Sequence, residues 1–392
     1  MKRWLLGAGI AGLALGTASA ADLPVAPEPI DYVRVCDAFG AGYYYIPGTD
    51  TCLRIHGRVR VDYRYFDTDF TTNWRNYNST GFRARGYIYM DSRSNTEFGL
   101  LRTFNEIYVT SDSPGGNRLT LNHSFVQLGG FTFGKTQSFF DFVEYVTWAA
   151  IYYPAVSDLK TPVAAYTHAF GNGFSGSLSL ESADERRLGI GNYGPGYGGT
   201  KYPDMVANLR VDKGWGSAQV MGALHQVWTG ANPAGVTPDS DLGWTIGAGV
   251  TFDMSLPGET SANLSGSYSQ GAVAYVTSSP GGGPFEAYDG VYDPATNEVD
   301  TSEAWGVSGG ITHNWTPTLS TALQGGYFSY ANDAAPSGDF GQWSAQGNIV
   351  WAPVAGLIIG TELEYQYYDA SSSSALGDGD NLAAIFRVQK TY

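Results

Sequence analysis

The chain is poor in charge. Asp, Glu, Lys and Arg make up 15% of its 392 residues, against roughly 25% in an average soluble domain. Basic residues are the scarcer, 22 against 37 acidic, for a formal charge of −15. Such a surface would repel a phosphate backbone, so no nucleic-acid partner is expected. Long apolar runs are also missing. No internal segment reaches the ~18 apolar residues that a membrane-spanning helix needs, which excludes a helical membrane protein. Histidines stand at 56, 123, 168, 225 and 313 without ligand spacing, so neither a metal site nor a cofactor is expected. What is plentiful is Gly (52), Tyr (27) and Trp (10). Aromatics at 14% argue against bulk disorder.

Residues 1–20 have the layout of a signal peptide: basic Lys2 and Arg3, an apolar stretch from Trp4 to Leu15, and Ala18-Ser19-Ala20 as cleavage site. In an exported chain the two cysteines, Cys36 and Cys52, are expected to form a disulfide. That would close residues 21–51 into an N-terminal segment tied to the start of the domain at 52–392.

From Cys52 onward the pattern is period-2 alternation, which sends two residue sets to opposite faces of a strand. In Leu53–Tyr65 the odd positions are apolar apart from Gly57, and the even positions are charged or His. The same split recurs at 174–181, 244–253, 342–351 and 359–367. Breaks between runs alternate in length. Long ones fall near 67–79, 110–116, 138–160, 183–200, 230–239, 276–301, 332–339 and 369–380. Short ones fall at 91–95, 129–130, 171–173, 213–216, 255–259, 316–318 and 352–356. Eight long and seven short connections join sixteen strands, the pattern of an up-and-down antiparallel barrel with its tight turns at one end. The polar set is mostly small (Ser, Thr, Gly, Asn, Gln), and Tyr and Trp cluster near strand ends. These features fit an all-β, 16-stranded transmembrane barrel with an apolar face to lipid and a polar face to a water-filled lumen.

Two motif matches carry no chemistry in this setting. Gly129–Thr136 satisfies the phosphate-loop spacing, but Phe131 and Phe133 alternate as in a strand. Gly306-Val307-Ser308-Gly309-Gly310 satisfies the nucleophile-elbow spacing, but Ser308 and His313 have opposite strand parity.

Nine of sixteen arginines fall within 52–102: Arg54, Arg58, Arg60, Arg64, Arg75, Arg83, Arg85, Arg93 and Arg102. Parity places Arg58, Arg60 and Arg64 on the lumen face of one strand and Arg83 and Arg85 on the next, with Arg102 following. The connection 138–160 is too apolar to wave in solvent, and is expected to fold into the barrel carrying Asp141 and Glu144. Facing the arginines, these acids would set a transverse field at the narrowest point. With acidic mouths and a local basic ladder, a weak cation preference is expected.

The stretch Asp31–Ile55, with both cysteines in place, resembles the N-terminal signature of the alphaproteobacterial general porins of the rhizobial and Brucella type. Sixteen strands and a Phe-rich third loop extend the resemblance over the chain. It implies a homotrimeric channel in the bacterial outer membrane. Such a channel sits among lipid and lipopolysaccharide, has its third loop as the constriction, and passes ions and small hydrophilic solutes passively. It implies no enzymatic step; the alternatives are a barrel adhesin or a barrel enzyme. Small residues on the lipid face (Gly176, Gly266, Gly347) would let barrels pack wall to wall. One departure is Lys390, which stands on the apolar face of the last strand before the terminal Tyr392.

Overall fold

The computed structural model describes residues 34–70, 76–142, 145–232, 235, 237–254, 258–282, 284–372, 374 and 377–392. The expected signal peptide, Arg75 and Glu144 lie outside these residues.

Sixteen strands form the wall: β1 (Cys52–Thr68), β2 (Thr80–Thr96), β3 (Gly99–Ser113), β4 (Gly116–Leu128), β5 (Phe131–Gln137), β6 (Lys160–Gly171), β7 (Phe174–Glu181), β8 (Asp204–Lys213), β9 (Gly216–Val227), β10 (Asp241–Met254), β11 (Thr260–Gln270), β12 (Glu303–Thr316), β13 (Leu319–Ala331), β14 (Phe340–Val354), β15 (Leu357–Ala370) and β16 (Gly379–Thr391). Each pairs antiparallel with its sequence neighbours. β16 returns to β1 with Val388 opposite Val61, so the sheet closes without an edge. Where β16 stops, the short strand Tyr44–Tyr45 takes the free side of Cys52 and Leu53, and the Cys36–Cys52 disulfide anchors it there. Closing a loop of this length is worth about 3 kcal/mol in the chain-entropy account.

The two faces of the wall are inverted relative to a soluble protein. Val59, Leu178, Ile246, Leu323 and Leu363 are exposed on the outside, while Ser179, Gln219, Gln324, Gln346 and Glu364 are buried on the inside. Facing water, the outward apolar set would cost on the order of tens of kcal/mol, which no domain of ordinary stability carries. Lipid removes that cost. Outward aromatics gather in two bands. Trp244–Tyr268, Trp305–Tyr327 and Tyr327–Trp343 pairs lie toward the long loops. Trp215–Phe252 and Phe131–Phe133 pairs lie toward the tight turns. Such girdles mark the two membrane–water interfaces. Lys390 reaches the turn-side interface, where its Nζ donates to the Ala355 carbonyl at 2.7 Å.

Two connections differ from the expectation. The polar run Asp91–Asn95 is not a turn: β2 continues to Thr96, and the chain reverses at Glu97-Phe98. Its polar groups find partners across the ladder, Ser92 Oγ with Thr103 Oγ1 at 2.6 Å and Asp91 with Arg102 at 3.0 Å. Nor is 110–116 a long loop. β3 runs to Ser113 and turns through Pro114-Gly115, with Gly115 and Gly116 at positive φ. Thr110 and Asp112 belong to the lumen face, opposite Arg85 and Arg83, so long and short connections do not alternate strictly.

The loops after β7 and β11 carry small structures of their own. Ile190–Gly191, Gly290–Asp293 and Glu298–Thr301 make a three-stranded patch. Phe285 packs among Phe328, Phe340 and Tyr368 inside the loop-end mouth.

Candidate pore constriction

After β5 the chain turns into the barrel. Residues 138–142 and 145–159 lie on the inner wall formed by β7 to β15. Backbone N–H groups taken off the sheet need other acceptors, and inward side chains of the wall supply them. Glu181 on β7 accepts from Phe139 at 2.8 Å, and Gln324 on β13 from Val146 at 3.1 Å. On β15, Glu362 accepts from Trp148 at 2.6 Å, and Glu364 from Ala150, Ile151 and Tyr152 at 2.6, 3.0 and 2.6 Å. The wall under the loop is short of side chains. A Cβ at Gly249 would sit 2.2 Å from the Phe142 ring, at Gly310 2.5 Å from Val146, and at Gly306 2.8 Å from Ala155. Glycine opens the seat, and carboxylates and amides hold the loop in it.

The root of the loop is an ion pair in the dark. Asp141 is fully buried, and Arg186, from the connection after β7, lies 2.8 Å from it at 2% exposure. Ser157 Oγ and the Leu159 N–H also donate to Asp141. Burial is the largest single influence on Arg186 and pulls its pKa down, but the charge and hydrogen bond of Asp141, together with Tyr275 and Glu181, outweigh it and hold the guanidinium above its ordinary value. At the tip, burial pushes the Tyr152 and Tyr153 phenols up, so the side facing the lumen is aromatic and neutral.

Across the lumen stand β16 and β1–β3. Arg60 lies opposite Arg85, Asp62 between Arg83 and Arg387, and Arg83 opposite Asp112. The like-charged neighbours are tolerated because carboxylates interleave with them. Asp62 pairs with Arg387 at 2.7 Å and Arg60 at 3.2 Å, and Asp112 with Arg83 at 2.7 Å and Arg64 at 3.1 Å. Arg58 and Arg85 have no carboxylate partner among the described residues. They lie over tyrosine rings, Arg58 3.9 Å from the Tyr87 centroid and Arg85 4.4 Å from that of Tyr108. The Arg387 guanidinium also sits 4.3 Å from the Trp148 ring, so the loop tip touches this wall.

The structure thus brings Arg58, Arg60, Arg64, Arg83 and Arg85 together on one inner wall. Arg102 lies apart, near the turn end, 3.0 Å from Asp91. The acidic partner is not where it was expected: Asp141 does not look across water but is neutralised at the loop root, because a nearer cation is buried with it. The acids closest to the loop tip are Glu362 and Glu364. Sequence reasoning passed over these two, and over Asp62, Asp112, Arg186 and Arg387. Strand parity puts Asp62 on the face of Arg60, and Glu362 and Glu364 on the polar face of 359–367, and signals those three; the others needed the neighbouring strand or loop.

An edgeless sixteen-stranded barrel, apolar outside and polar inside, with its third loop laid on the inner wall opposite a charged wall, defines the class: an outer-membrane channel of the porin type. A porin-subfamily family model matches residues 22–390, and the chain belongs to that family. It is similar to the porin Omp2b of Brucella suis and of Brucella melitensis, 29% identical over 418 aligned positions that cover 100% of this chain and 99% of each relative. Among solved structures it resembles the outer membrane channel DcaP of Acinetobacter baumannii, at TM-score 0.70 and 17% identity over 89% of this chain and 99% of that one. An anion-selective porin from Comamonas acidovorans matches at TM-score 0.53 and 11% identity, over 87% of this chain and 100% of that one. The protein is a porin of the bacterial outer membrane.

Proposed function

We propose that the channel conducts passively, catalyses no reaction, and favours anions at its constriction. The carrying observation is the charge count at the level of the loop tip. At that level Arg58, Arg60, Arg64, Arg83, Arg85 and Arg387 face Asp62 and Asp112, while Glu106 and Asp91 on the same wall lie further toward the turn end. Adding Glu362 and Glu364 across the lumen still leaves the basic groups ahead by two, and those two carboxylates are engaged by the loop. This replaces the weak cation preference expected from composition, because the loop acid is spent on Arg186. At a few ångströms a single charge acts on a passing ion by about 1–4 kcal/mol. In planar bilayers under a KCl gradient, the reversal potential should lie on the anion side for wild type. Arg60→Ser with Arg83→Ser should move it toward cations and raise conductance. A reversal potential and conductance unchanged in the double variant would overturn the reading.

A channel rather than an enzyme is also supported by Ser308, whose hydroxyl donates to the Gly325 carbonyl at 3.2 Å, while His313 bonds Thr260 at the other strand parity. For assembly, we infer a homotrimer in lipid and lipopolysaccharide that packs through the outward face of β2–β4. There Ser92 and Thr103, and Asn105 and Ser124, form hydrogen-bonded pairs on an otherwise apolar surface. Polar groups at that depth favour a protein neighbour over lipid.

A further inference from the structure

Between the constriction and the turn end, the inner wall of β1–β4 is lined with rings. His56 stacks on Tyr89 at 4.6 Å, and Tyr89 lies parallel to Tyr87 at 6.0 Å. Tyr87 meets Tyr108 at 5.0 Å, and Phe104 meets Phe125 at 5.5 Å. Tyr89, Phe104 and Phe125 are half-buried, so part of each ring faces the lumen. A barrel that only had to keep a wet lumen would place small polar groups here, as β7 and β11 do. At the constriction end of the lane stand Arg58 and Arg85, the two guanidiniums without a carboxylate, and the Arg58 Nε is buried with no hydrogen-bond partner. The lane itself holds one carboxylate, Glu106, buried and 3.8 Å from His123. Arg102, at the far end, is occupied by Asp91.

We propose that this lane is a binding site for small aromatic carboxylates. The carboxylate group is taken by Arg58 and Arg85, and the ring lies against Tyr89 and Phe104. Arg85 gives its Nε to Thr110 Oγ1 at 2.7 Å and its Nη1 to the Tyr87 hydroxyl at 3.1 Å, which leaves Nη2 for an anion, and stacking on Tyr87 leaves the N–H edge of Arg58 open. A flat π-surface beside it discriminates by ring character rather than by charge. The inference deepens the reading of the channel as anion-favouring, and it commits that reading to a class of solute.

The test uses the full-length channel in planar bilayers, with benzoate, cyclohexanecarboxylate and benzyl alcohol added to KCl. Benzoate should reduce the current with half-saturation roughly fivefold to tenfold lower than cyclohexanecarboxylate, which has the charge without the π-face. Benzyl alcohol should have no effect. Tyr89→Leu with Phe104→Leu should erase the gap between the two acids, and heat-modifiable migration in detergent gels reports that the variant barrel has folded. Arg58→Gln with Arg85→Gln should weaken both acids together. Equal action of the two acids on wild type, or a gap that survives the Leu substitutions, would overturn the proposal. The Arg60 and Arg83 reversal-potential experiment stands apart. If it fails while the benzoate gap remains, the anion preference is wrong and the lane stands; the opposite pair of results leaves anion preference without aromatic recognition.

Discussion

The two inner walls of this barrel share one pleat and one closure and do opposite things with them. On β1–β3 and β16 the inward positions carry arginines, tyrosines and interleaved aspartates. On β10 and β12 the inward positions under the third loop include Gly249, Gly306 and Gly310. The loop lies on the wall that lacks side chains and faces the wall that is full of them. So the constriction is an asymmetric slot between a flat aromatic tip and a charged comb. The side-chain volume of one wall decides which charges the other presents to a solute.

The strongest way to break this arrangement is at the loop root. Asp141→Asn leaves the buried Arg186 without its counter-charge, a change that costs about 3–5 kcal/mol. The variant barrel should unfold at a clearly lower temperature in detergent gels. If stability is kept and the reversal potential moves toward anions instead, Asp141 faces the lumen and the buried pair is wrong. A smaller disturbance is to fill the empty wall. Gly310→Val puts a Cβ where Val146 already sits, with overpacking worth about 1–3 kcal/mol. The loop should be pushed across the lumen and single-channel conductance should fall. Gly86→Ala, where a Cβ meets nothing within 4 Å, is the matched control and should change neither. The mildest test removes one peg. Gln324→Leu takes away the acceptor of the Val146 N–H, worth about 1–3 kcal/mol for a donor left buried. Open-channel current noise should rise as the loop loosens, with mean conductance little changed.

Which parts were legible in the sequence follows from the range of the forces. Alternation is a property of neighbouring residues, and lipid outside with water inside reads it directly. Leu53–Tyr65 therefore showed both the strand and its two faces. Strand count came from the same source. Turn positions were less secure. Asp91–Asn95 and Thr110–Ser113 look like loop because they are polar, and only the opposite strand shows that Thr103, Arg102 and Arg83 satisfy them.

The sequence by itself determined that this chain is an exported sixteen-stranded barrel, which face meets lipid, and which strands concentrate arginine, because each is written in local period and composition. The tertiary structure decided the electrostatics. Arg186 is 45 residues from Asp141, and Arg387 is 325 residues from Asp62. Coulomb energy depends on distance and burial, not on separation along the chain. Only closure of β16 on β1 and the seating of the third loop show which charges cancel and which remain to meet a solute.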